Sequence, residues 1–222
     1  MRVACLIPAY NEARRVGDTI RAIKSLQQVD EIIVIDDGST DATAEEAEAA
    51  GADRVLRLDS NIGKGGAMNR GLAETSADVL LLLDADLGSS AQEGAKLLEP
   101  VLSGLFDMSV AILPRTGKKA GFGFVVRLAR WGIRRLAKLD VQAPLSGLRA
   151  VKREVVDRAG GFEPGWGVEI GLTVAAAQAG FTIVEVPTEF THRVTGRSIR
   201  GFVHRGRQFA HVVWFIARKW RK

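Results

Sequence analysis

The feature that most constrains this chain is a continuous apolar run, Val79–Leu83, cut off abruptly by Asp84-Ala85-Asp86. A short unbroken apolar run reads as a strand covered on both faces, and such strands belong to parallel sheets flanked by helices. The segments before it alternate accordingly. Strands are expected at Arg2–Ile7, Glu31–Asp36 and Asp53–Leu58, and helices at Glu12–Leu26, Asp41–Ala50 and Lys64–Glu74. This βαβ rhythm predicts a doubly wound α/β domain with a mostly parallel sheet. In such sheets ligands bind beyond the carboxyl ends of the strands. That rule selects Pro8–Glu12, Asp36–Asp41 and Asp84–Asp86, where polar residues stand as each strand stops.

The second half is less regular. Phe106–Leu113 is a strand candidate, Lys118–Leu139 reads as a long basic helix, and Thr182–Val186 is a late strand ended by Pro187. The stretch from about Ser198 to Trp220 reads as helical, with aromatic and basic residues mixed. At 222 residues, with 46% hydrophobic and 26% charged residues, the chain suits one domain and not a disordered segment. Cys5, the single cysteine, lies in an apolar run and reads as a buried thiol in a reducing compartment. The N-terminus does not read as a signal peptide, and no window is long and apolar enough for a transmembrane helix.

Charge is strongly segregated. Residues 1–114 hold 10 Lys/Arg against 19 Asp/Glu, and residues 115–222 hold 21 against 7, so the halves carry −9 and +14. A basic face attracts anionic lipid, a phosphorylated substrate or nucleic acid. Eight basic residues and no acid lie between Arg115 and Lys138, interleaved with Phe122, Phe124, Leu128 and Trp131. The run Phe209–Lys222 repeats that mixture with Trp214, Phe215 and Trp220. Both fit interfacial helices with arginines reaching headgroups, and equally helices packed on the domain with a basic face in water.

Three motifs carry candidate chemistry. Asp84 and Asp86 at one strand end suit a divalent cation bridging to a diphosphate, or serve as loop carboxylates. In Asp36–Asp41, the Ser, Thr and last Asp can cap a helix, which leaves Asp36 and Asp37 for a base or ribose. Asn61–Ala67 resembles a phosphate loop but is not a Walker A motif, because Gly65 follows Lys64 and Leu58 stands where a glycine is required. Its glycines open a helix and Lys64 adds a cation, so the loop suits an anion.

Taken in order, Pro8-Ala9-Tyr10-Asn11-Glu12, Val34–Asp41, Asn61–Ala67 and Leu83-Asp84-Ala85-Asp86 resemble the inverting family 2 glycosyltransferases of GT-A fold, most nearly the dolichyl- and polyprenyl-phosphate sugar synthases. The resemblance continues more loosely to Glu185-Val186-Pro187 and His192–Ser198. It implies a Rossmann-like GT-A domain over residues 1–197, with its nucleotide-binding half in 1–114, and basic C-terminal helices in 198–222. It also implies that Pro8, Tyr10, Glu12, Ile35 and Asp37 hold the nucleoside, with Ala9, Gly63, Lys64, Ala67 and Ala85 as further donor-site positions. Asp84 then approaches the ribose or pyrophosphate, and Asp86 binds Mg²⁺ or Mn²⁺.

The chain departs from that pattern in three places. Gly88 stands where relatives place a metal-binding glutamine, which brings in His192 as the replacement ligand, or else as an ordinary surface histidine. Ile199 stands where relatives place a lysine, between Arg197 and Arg200. Glu169 is the best-placed carboxylate for a general base, needed by a hydroxyl acceptor but not by a phosphate. Asp86 and Glu169 are therefore the catalytic candidates. Arg115, Arg127, Arg193, Arg197 and Arg200 are candidates for the acceptor phosphate.

Three readings follow. One is transfer from a nucleotide sugar, UDP-linked on the family's habit, to polyprenyl phosphate, by a cytoplasmic protein held on an anionic membrane surface at the inner face. A second has a soluble phosphorylated acceptor such as a phosphoglycerate. A third is a non-catalytic anion- or nucleic-acid-binding protein with a vestigial site. The intact Asp37, Lys64, Asp84 and Asp86 argue against the third, and no nucleic-acid partner is expected.

Overall fold

A computed structural model describes residues 1–114, 123–163 and 167–191. Seven strands form one sheet: β1 (Val3–Ala9), β2 (Glu31–Asp36), β3 (Arg54–Arg57), β4 (Val79–Leu82), β5 (Met108–Ile112), β6 (Arg149–Lys152) and β7 (Ile183–Pro187). Their order is β3-β2-β1-β4-β6-β5-β7. Every pairing is parallel except those of β6, which runs antiparallel between β4 and β5. Among the described residues the helices are α1 (Val16–Lys24), α2 (Thr43–Ala49), α3 (Lys64–Ala73), α4 (Gly94–Leu102), α5 (Gly123–Ala137), α6 (Arg153–Ala159) and α7 (Gly167–Gln178), with a 3-10 turn at Gly88–Glu93.

Strand residues alternate between two faces. Val3, Cys5, Ile7, Leu81 and Ala150 pack with α1, α2 and α4, while Ala4, Leu6, Leu80 and Val151 pack with α3, α6 and α7. A third cluster joins α5 to α7 through Val125, Ala129, Ile133, Ile170 and Val174. Burial on both faces explains the unbroken apolar run in β4. The expected elements of the first half are present with shifted ends. β1 continues through Pro8 and Ala9, and α1 begins at Val16, because Asn11 takes φ 56° and the amides of Asn11, Glu12 and Ala13 bond Ser39, Thr43 and Asp41 instead.

The late strand lies one residue further along than expected: Pro187, expected just beyond it, is the last residue of β7, opposite Ile112, and an edge strand tolerates a residue that lacks an N–H. The expected basic helix is described from Gly123 onward. The expected C-terminal helical stretch, residues 198–222, lies outside the described residues. Among those described, no helix is long and apolar enough to cross a membrane.

Candidate active site

The chain leaves β1 for β2 and β3 on one side and returns with β4 on the other, so the topological switch lies between β1 and β4. The loops after β1, β2 and β4 meet at that edge and are tied together by side chains. Asn11 Oδ1 accepts from the Thr40 amide at 2.8 Å, and Asp36 Oδ1 accepts from the Ser39 amide at 3.0 Å. Buried Thr19 of α1 donates to the Ala85 carbonyl oxygen at 2.9 Å and accepts from the Gly88 amide at 2.8 Å. Arg15 Nη1 donates to the Asp86 carbonyl oxygen at 3.2 Å. The segment that carries both aspartates is thus held from α1. Gly88 has φ 55°, in the region that disfavours a side chain, so this backbone turn suits glycine better than glutamine.

Asp37 is 4% exposed, and its two carboxylate oxygens accept from the Ile62 and Gly63 amides at 2.8 and 2.9 Å. Its structural role is to fix the loop that opens α3. Lys64, the first residue of α3, then reaches across the switch point. Its Nζ donates to Asp84 Oδ1 at 2.7 Å and lies 3.7 Å from Glu169 Oε1. Burial would lower the Lys64 ammonium, but Asp84 and Glu169 outweigh it and raise it above its ordinary value. Glu169, 4% exposed in the first turn of α7, is raised by burial in spite of Lys64 and Arg149. Gly147 makes room for this cluster: a Cβ there would stand 2.5 Å from Lys64 Nζ and 3.2 Å from Glu169 Oε1.

The structure thus joins Lys64, Asp84 and Glu169, which sequence spacing alone does not connect. Pro8 and Glu12 are half-buried beside the same edge, and Tyr10 is exposed. Ile35 and Ala67 are both fully buried between the sheet and α3, where their side chains pack in the core. Ala9 and Ala85 are likewise buried, on the opposite face. Arg127 is exposed on α5. Arg115, His192, Arg193, Arg197 and Arg200 lie outside the described residues. Among the described residues no group of three or more His, Cys, Asp or Glu is gathered to hold a metal ion. Sequence reasoning missed Thr19, Arg149 and Thr173. The first carries no motif that sets it apart in its helix, and the other two lie in segments whose elements were not foreseen.

The chain is similar to known proteins over most of its length. The chain is 29% identical over 209 residues to the dolichol-phosphate mannosyltransferase of Pyrococcus furiosus, covering 89% of this chain and 59% of that protein. It is 36% identical over 194 residues to the glucosyl-3-phosphoglycerate synthase of Mycolicibacterium smegmatis, covering 78% of this chain and 63% of that protein. It therefore spans about three fifths of the length of either relative. A solved structure of glucosyl-3-phosphoglycerate synthase from Mycobacterium tuberculosis, in complex with Mn²⁺, UDP and phosphoglyceric acid, superposes with a TM-score of 0.79 at 30% identity. The match covers 97% of this chain and 78% of that one. Residues 4–158, which carry β1 to β6 and all three strand-end loops, match the family described as Glycosyl transferase family 2, and the chain belongs to that family.

Proposed function

We propose that the protein transfers a sugar from a UDP-sugar to a phosphorylated acceptor. The observation that carries this reading is the Lys64–Asp84–Glu169 cluster at the switch point, beside a loop whose amides are set by Asp37. Lys64 is the cation for the donor diphosphate, and the Pro8–Glu12 and Asp36–Asp37 segments hold the nucleoside. The solved relative with UDP and a divalent ion supports this donor.

Mg²⁺ or Mn²⁺ fits the donor set. Such ions are commonly held by one or two carboxylates together with substrate phosphates, and Asp86 stands on the segment that Thr19 and Arg15 anchor. His192 completes the protein ligands in this reading. When bound, the ion supplies neutralising charge at the departing diphosphate. Lys64 binds the same charge from the protein side, Glu169 is the buried carboxylate beside it, and the β4–α4 segment keeps Asp84 and Asp86 in place.

For the acceptor, the basic character of α5 favours a polyprenyl phosphate at an anionic membrane surface. Arg127, Arg130, Arg134, Arg135 and Trp131 are all exposed along it. Arg115, Arg127, Arg193, Arg197 and Arg200 would bind the phosphate, with the protein peripheral on the inner face. A second reading, a soluble phosphoglycerate-like acceptor with Glu169 as base, is favoured by the phosphoglyceric acid in the solved relative.

The experiment is a transfer assay with UDP-glucose and Mn²⁺, using polyprenyl phosphate in anionic liposomes or 3-phosphoglycerate as acceptor. Transfer to the lipid, with salt-sensitive liposome binding, is expected. Transfer to phosphoglycerate alone selects the second reading. UDP binding that Mn²⁺ does not strengthen, or that Asp86→Ala leaves unchanged, overturns the metal assignment.

A further inference from the structure

Arg149 opens β6, opposite Leu82 of β4 on one side and Val110 of β5 on the other. It is 2% exposed, a long cationic side chain in the middle of the sheet. Burial lowers its guanidinium to about 10, so it remains charged at neutral pH. Nε donates to the Ser146 carbonyl oxygen at 2.9 Å, and Nη1 donates to Thr173 Oγ1 at 2.9 Å. Thr173 Oγ1 in turn donates to the Glu169 carbonyl oxygen at 2.9 Å. One hydrogen bond therefore runs from the sheet to α7, and a second, within the helix, continues to its first turn. Arg149 Nη2 and Glu169 Oε2 are both buried with no hydrogen-bond partner among the described residues.

A buried charge is retained where it is paired, and removing one member leaves the other exposed to the full cost of burial. We propose that Arg149 is a positioning residue of the transfer site: it anchors the N-terminal turn of α7 through Thr173 and sets a buried positive charge beside Glu169, whose Oε1 faces Lys64. The proposal rests on the sugar-nucleotide reading of the site given above.

The charged groups acting on Glu169 are Lys64 from α3, Asp84 at the end of β4 and Arg149 from β6. Lys64 is shared with Asp84, which is the nearer of its two acids at 2.7 Å against 3.7 Å. Arg149 itself is acted on by Glu169 and by Glu185 of β7. Glu185 is otherwise engaged, accepting from the Gln142 and Ala143 amides at 2.6–2.9 Å. Glu169 is therefore the acid left for Arg149, and loss of the guanidinium leaves Glu169 with only a shared lysine.

The test uses the full chain with Arg149→Met, Arg149→Lys and Thr173→Val. Glutamate is labelled with ¹³C at the side-chain carboxyl, and the Glu169 resonance is assigned with Glu169→Gln. Arg149→Met is expected to raise the Glu169 midpoint by about one unit, and Arg149→Lys by less. In turnover with UDP-glucose, Arg149→Met lowers kcat roughly tenfold at neutral pH and moves the acid limb of the rate profile upward, with little change in the donor KM. An unmoved Glu169 midpoint in folded Arg149→Met overturns the proposal. So do equal losses in the Met and Lys variants with no movement of the limb. Should Arg149→Met not fold, Thr173→Val decides, since it cuts the link and keeps the charge: a wild-type rate overturns the proposal. A raised midpoint in a protein that turns over no sugar nucleotide upholds the electrostatic pairing and sinks the transfer reading instead.

Discussion

Asn69 of α3 grips the backbone of Phe162 from both sides, its Nδ2 donating to the Phe162 carbonyl oxygen at 2.9 Å and its Oδ1 accepting from the Phe162 amide at 2.8 Å. The two residues are 93 apart in sequence. The grip ties the helix that begins with Lys64 to the segment that leads into α7 and Glu169. Asn69→Ala is expected to destabilise the fold by about 1–2 kcal/mol, the scale of two partly buried hydrogen bonds. Urea unfolding measures the loss, and a variant as stable as the wild type would deny the grip any weight.

Asp37→Ala removes the acceptor for two backbone amides of the α3 loop. The two amides are only partly buried and can take up water, so the loop is expected to loosen rather than the core to melt. Calorimetric titration with UDP checks this. Affinity should fall by roughly tenfold, on the scale of one lost charge-assisted hydrogen bond, while melting without ligand moves little.

Gly147→Ala places a methyl group 2.5 Å from Lys64 Nζ. Lys64 must swing away from Asp84 and Glu169, because the neighbour that gives way is the far end of its own flexible side chain. Stability is expected to change little. Donor KM should rise and kcat fall, and an unchanged KM would show that Lys64 does not need its present position.

Asp107 joins three strands. Its Oδ1 accepts from Lys152 Nζ of β6 at 2.7 Å, and its Oδ2 accepts from the amide and hydroxyl of Thr182, before β7, at 2.8 Å each. Burial alone would raise its carboxyl, but these donors hold it below the ordinary Asp value. Its contribution to stability is thus fully present above the unfolded value near 3.9 and is lost as pH falls through the lower folded value. Asp107→Asn should cost about 1–2 kcal/mol at pH 7. The gap from wild type should close as the pH drops below about 4, as read by urea unfolding at several pH values. A gap independent of pH would refute the assignment to the ionised carboxylate.

The first half was legible because its elements obey simple rules. β1, β2 and β4 are apolar runs stopped by polar residues, and the helices between them are amphipathic. The carboxylates Asp37, Asp84 and Asp86 stand out for that reason alone. Ile35 and Ala67 show the limit of motif reading: sequence alone does not tell that both side chains are buried in the core under α3. The second half was hard to read for a different reason. Helix α7 packs against the sheet, α6 and α5 together, so Gly167–Gln178 is apolar nearly all round and carries no helical stripe. β6 is four residues long, and its arginine was one basic residue among 21 in that half. Only the folded structure links it, through Thr173, to the turn that carries Glu169.

The antiparallel strand β6 also orders the events of biosynthesis. β4 and β5 follow each other in the chain, yet neither pairs with the other, because the slot between them belongs to residues 149–152. As the chain emerges, β1 to β4 can join by near-neighbour crossovers, while β4 keeps one bare edge and β5 has no partner at all. Such edges invite pairing with other chains until they are filled. The strand that fills them brings Arg149 and is followed at once by the helices that bring Glu169. A ribosome that has released only residues 1–114 has therefore made a sheet with an open seam, and the strand that closes the seam is the one that brings Arg149 against α7.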